Sequence, residues 1–152
     1  MSMFTSTDNN GYMSDYLMQE AAARRKRMLS RAQYDYGIGE LNRQLTQGLT
    51  DIGQKYSRGM EPQVTQYTGR GLGRSGIFQR AMKNYVESQQ REVGDLTAGA
   101  QSAMNEMGLQ EQAAGVALQD ELDRIARAKY AEILNAAAEL RAWAPYAATY
   151  GG

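Results

Sequence analysis

The sequence predicts an all-α fold of two long helices, about 14–58 and about 76–144, joined by a Gly-rich connector into an extended helical hairpin that oligomerises. The first observation behind this is an apolar stripe through the second half. Phe78, Met82, Tyr85, Val93, Leu96, Ala100, Met104, Met107, Ala114, Leu118, Leu122, Ile125, Ile133, Ala136, Leu140 and Trp143 recur at a helical period of about 3.6, with no proline between Pro62 and Pro145. A helix of that length would extend roughly 100 Å at about 1.5 Å per residue, far beyond a small domain, and such a rod needs partners. The second is composition: Leu, Ile, Val and Phe number 23 of 152 residues, while alanine alone supplies 21. A thin core is expected, with burial shared between chains. The third is charge. The chain carries 17 basic and 17 acidic residues, but residues 1–90 sum to +4 (12 − 8) and residues 91–152 to −4 (5 − 9). Complementary halves suit an antiparallel hairpin or a head-to-tail contact between copies, although charge blocks this small also arise without meaning.

Residues 1–13 read as a flexible polar arm ending near the turn signal Asn10-Gly11. Ser14 is the expected N-cap of the first helical segment, 14–58, with Asp15 in its favourable first turn. Gly37, Gly39, Gly48 and Gly53 each cost about 0.5–1 kcal/mol against alanine, and a break near 37–39 is compatible with them. Tyr34, Ile38, Leu41, Leu45, Leu49, Ile52 and Tyr56 take 22 residues for six steps, about 3.67 per step. That eleven-residue rhythm calls for straight or slightly right-handed packing rather than a leucine zipper, with the glycines letting another helix come close. Pro62 and four glycines, with Gly76 just beyond, make 59–75 a Gly/Arg connector, in which 63–67 alternates enough for a short extended piece. Ser75 caps the long helix 76–144, on which Gly94, Gly99, Gly108 and Gly115 read as bends or tight contact points, with contacts the favoured reading. Glu87/Arg91, Asp120/Arg124 and Asp123/Arg127 have i, i+4 spacing, and Pro145 is the expected stop before a tail, 145–152.

The chain has no cysteine and no histidine. Disulfides, Cys or His catalysis and the common zinc, haem and iron–sulfur ligand sets are excluded, and no acidic loop pattern suggests an oxygen-ligated metal. No cofactor is expected. No run of 18 apolar residues implies a transmembrane segment, and the polar start is unlike a secretory signal, so a soluble chain is expected. Gly71-Leu72-Gly73-Arg74-Ser75-Gly76 matches G-x-G-x-x-G, yet the preceding residues are too polar for a buried strand and no βαβ pattern follows, so a hinge is the better reading. Asp120, Glu121 and Asp123 have no companion nucleophile and read as solubilising. Arg24, Arg25, Lys26, Arg27 and Arg31 form a collar round the first helix, while Arg70 and Arg74 flank the connector. Both groups are candidate anion or nucleic-acid contacts; solvated faces or acidic partner surfaces compete with that reading.

The junction 69–76 running into a long Ala/Gln/Glu-rich helix, with Ala22-Ala23-Arg24-Arg25-Lys26-Arg27 upstream, resembles the small α-helical virion proteins of tailed bacteriophages. The resemblance is one of overall style. It implies a non-enzymatic structural subunit, internal/ejection or portal–tail associated, located in the virion and assembled in the host cytoplasm. Implied partners are copies of itself and other virion proteins (portal, tail or internal), with packaged DNA as a further option. No membrane-inserting segment is present, so packing against a portal, tail tube or sibling protein is the implied role. The expected oligomer or partner contacts are Ile38, Leu41, Leu45 and Leu49 on the first helix and Leu118, Leu122, Ile125, Ile133, Leu140 and Trp143 on the second. The competing function is a nucleic-acid-binding or genome-packaging accessory protein acting through the Arg24 to Arg31 cluster and the Arg70/Arg74 connector.

Overall fold

The computed structural model describes residues 8–150, and these form two long helices packed against each other, α1 (Asp8–Gly69) and α2 (Gly76–Tyr150). The expected arm residues 1–7 and the last two tail residues, 151–152, lie outside the described residues. No strand occurs among the described residues. The chain divides into two compact units: residues 33–110, and residues 1–32 together with 111–152.

Several boundaries differ from those read in the sequence. Residues 8–13 are helical, and α1 runs without a break through 37–39. It also continues past Pro62 to Gly69, so the expected connector 59–75 shrinks to 70–75 and the extended piece at 63–67 is helix. An interior proline removes one i to i−4 hydrogen bond and crowds the preceding turn, at a cost of about 3 kcal/mol. Contacts with α2 on both sides of Pro62 hold the helix together against that cost. Tyr56 packs edge-on to Tyr85 with ring centroids 4.9 Å apart, and Tyr67 packs on Phe78 at 5.5 Å. Pro145 likewise lies inside α2 rather than ending it. The residues beyond it are alanine-rich, and the Trp143 and Tyr146 rings meet across the proline at 6.1 Å.

The turn between the helices explains the G-x-G-x-x-G match. Leu72 N–H donates to Tyr67 C=O at 2.9 Å and Gly71 N–H to Thr68 C=O at 3.0 Å, while Gly71 takes φ +70°. This is a Schellman helix end, in which glycine is the residue that enters the left-handed region without strain. Ser75 Oγ then accepts the Phe78 N–H at 3.2 Å, the N-cap expected from the sequence. The motif is a helix stop followed by a helix start, with no strand before it.

Within the 33–110 unit the helices approach at glycines. A Cβ at Gly48 would sit 2.7 Å from Leu96 Cδ2, one at Gly37 would overlap the Met107 methyl, and one at Gly59 would overlap the Tyr85 hydroxyl. The glycines step by eleven along α1 and their partners by eleven along α2, the 3.67-residue rhythm of straight packing. Tyr85 OH also donates to Tyr56 C=O at 2.7 Å, joining the two helices beside Gly59. Gly39, Gly53, Gly94, Gly99 and Gly108 meet nothing within 4 Å, so the expectation that the α2 glycines are tight contacts fails within the chain, apart from Gly115 beside Arg27.

The buried apolar core is thin, as the composition implies: Tyr16, Tyr56 and Ile125 among the described residues, of which Ile125 alone is fully enclosed. Ion pairs across the helices join a first-half cation to a second-half anion, as the charge halves suggest: Arg27 and Arg31 to Glu111, and Lys55 to Glu92 at 2.7 Å. Along α2, Arg124 pairs with Glu121 at 2.8 Å rather than with Asp120, and Glu87 lies 3.9 Å from Lys83.

Candidate functional site

In the unit formed by residues 1–32 and 111–152, the basic collar divides into two parts. Arg24 and Arg25 are exposed. Lys26 and Arg27, with Arg124 and Glu121 from α2, line a groove of about 680 Å³ floored by Ala22, Ala23, Ala114, Ala117 and Leu118. The alanines leave the space, because the side chains that would fill the gap between two helices stop at Cβ.

Beside this groove Arg27 Nη1 lies 2.5 Å from Glu111 Oε1, with Arg31 Nη1 at 3.6 Å. Glu111 is only 9 % exposed, and neither its oxygens nor Arg27 Nη1 makes an aligned hydrogen bond, so proximity of charge holds the cluster. A carboxylate enclosed in this way is stable because two guanidinium groups neutralise it. Arg27 and Arg31 are thus engaged within the chain and Lys26 faces the groove, which leaves Arg24 and Arg25 as the outward cations of the collar. Sequence reasoning did not single out Glu111. Its signal was a gap: the apolar stripe jumps seven residues from Met107 to Ala114, and Glu111 occupies the missing inner position.

The expected partner contacts fall into three groups. Ile125 is fully enclosed within the chain, so it is core and not a surface for another protein. This corrects its assignment; it lies where α1 covers the α2 stripe. Ile38, Leu41, Leu45, Leu118 and Leu122 are half-buried, and Leu49 is at the edge of exposure. Ile133, Leu140 and Trp143, by contrast, are 49 %, 74 % and 69 % exposed. Tyr130, Leu134 and Tyr146 stand open beside them, as do Met13, Leu17 and Met18 on α1. The stripe therefore continues along α2 as large exposed side chains. Tyr16 on α1 is buried against this part of α2, and the Glu132 carboxylate beside its hydroxyl raises its pKa above the ordinary tyrosine value.

Arg70 and Arg74 are exposed in the connector of the other unit. That unit has a shallow polar depression near Gln63, Tyr85 and Ser88. Among the described residues no cluster of three acidic groups is placed to hold a metal ion, and no helix is long and apolar enough to cross a membrane. Comparison with protein-family models, curated proteins and solved structures finds no match to this chain.

Proposed function

We propose that the chain is a non-enzymatic structural subunit of a tailed-phage particle, internal/ejection or portal–tail associated, which assembles through its extended amphipathic helices with copies of itself and other virion proteins. The observation that carries this reading is the exposed end of the α2 stripe, where Ile133, Leu140 and Trp143 present large apolar side chains to solvent on a regular helix. Contiguous exposed apolar surface of this kind marks an interaction site. The thin core is in keeping with a subunit completed by its neighbours. Assembly would take place in the host cytoplasm and end in the virion.

Two measurements test the reading. Sedimentation of the purified chain should give a mass several times 16.9 kDa, and imaging of particles carrying a tagged copy should place it at a defined position. A fully folded monomer at all concentrations, absent from purified particles, overturns it. The exposure of Arg24, Arg25, Arg70 and Arg74 favours a second reading, a genome-packaging accessory that touches packaged DNA. DNA affinity falling steeply with salt supports that reading, and no binding at low salt removes it.

A further inference from the structure

We infer that the C-terminal stretch of α2, residues 130–147, is the seam of a parallel, cyclic assembly of three or more copies of this chain; this rests on the structural-subunit reading and deepens it. Over these residues, apart from the hydroxyls of Tyr130 and Tyr146, the only polar or charged side chains are Glu132, Asn135, Glu139 and Arg141. At about 100° per residue, Glu132, Asn135 and Glu139 occupy one narrow stripe, and Arg141 lies nearly opposite. Between those two borders Trp143, Leu140, Ile133, Ala137 and Tyr130 cover about half of the helix circumference. Their large side chains are between 49 % and 74 % exposed.

Two features of this arc select the occupant. A helix facing one partner needs an apolar stripe of about 100°, and an arc of about 180° has room for a neighbour on each side, as in bundles of three or more helices. The borders have opposite signs. When copies run parallel, the Arg141 border of one helix meets the acidic border of the next, whereas an antiparallel pair puts Glu139 against Glu139 and Arg141 against Arg141. Glu132 already lies beside Tyr16, so Glu139 is the acid available to a neighbour. Contact between two different borders is heterologous, and heterologous contacts that close make rings.

The test uses the full chain. The wild type should sediment at three or more times 16.9 kDa. Leu140→Glu should weaken assembly at least tenfold while circular dichroism stays helical, because the side chain is 74 % exposed and supports no packing within the chain. Glu139→Arg and Arg141→Glu should each weaken it several-fold, and the double exchange should restore it. Since the chain has no cysteine, Ala136→Cys and Ala144→Cys can each be probed with a short bis-maleimide. Both variants should cross-link between copies, because parallel helices place like positions side by side. Cross-linking at one position only, or at neither, overturns the parallel seam. An oligomer whose mass Leu140→Glu leaves unchanged overturns this inference but leaves the structural-subunit reading standing, whereas a folded monomer at every concentration overturns both.

Discussion

The two units solve the same packing problem in different ways. In the 33–110 unit α1 offers glycine every eleventh residue and α2 answers with Tyr85, Leu96 and Met107, so the helices close on each other. In the other unit, one period before Gly37 on α1 falls Lys26, and one period after Met107 on α2 falls Leu118; both line the open groove. There a buried ion pair, Arg27 with Glu111, stands in place of glycine contact. The difference shows that one repeat can either seal or open a seam, according to whether its contact position carries no side chain or a long charged one.

Breaking the charged seam should have the largest effect. Removing one partner of a buried pair costs about 3–5 kcal/mol, and because Arg27 keeps 23 % exposure we expect Glu111→Ala to lose about 3 kcal/mol in urea unfolding. Arg27→Met with Glu111→Leu should recover most of that loss, since no isolated charge remains. If Glu111→Ala were neutral, the ionic seam would not be holding that unit.

The glycine seam should respond to bulk. Gly48→Leu places a branched side chain where even a Cβ meets Leu96 at 2.7 Å, and overpacking of this kind costs about 1–3 kcal/mol. Gly53→Ala, with nothing within 4 Å, should instead stabilise by about 0.5–1 kcal/mol through helix propensity. Opposite signs from two glycines five residues apart, read as shifts in thermal midpoint, would show that contact and not glycine content sets the seam.

The smallest effect is electrostatic and local. Arg43 and Gln44 donate to the Glu40 carboxylate and hold its pKa down at about 2. A depressed pKa means that the contribution is complete above the ordinary glutamate range, near 4.5, and is lost as pH falls toward 2. Acid titration followed by NMR should show Glu40 protonating well below the other glutamates, and Arg43→Ala should move it back up. Glu92 is also lowered, by Lys55, so it should begin to titrate later on acidification than an unpaired glutamate.

Much of the fold was legible because helices are specified locally. The apolar stripe identified α2, the eleven-residue rhythm from Tyr34 to Tyr56 anticipated the ladder of close approaches, and Ser75 marked the start of the second helix. Where sequence reading went wrong, a local signal was outweighed by contacts remote in sequence. Pro62 reads as a stop until Tyr56 and Tyr67 are seen packed on Tyr85 and Phe78. Ile125 and Ile133 read alike in the stripe, yet one is enclosed and the other 49 % exposed, because the eight residues between them turn the helix by about 80° and α1, which still runs beside Glu132, covers only one line of it.

The sequence by itself determined the helical class, the thin core, the absence of thiol and imidazole chemistry and the period of the packing, all of which follow from residue identity and spacing along one helix. Only the tertiary structure decided which glycines meet a partner, that Glu111 is buried beside two arginines, and which part of the α2 stripe stands exposed. Those outcomes depend on the relative placement of residues tens of positions apart, which is set by the turn at Gly71 and by contacts that no local pattern contains.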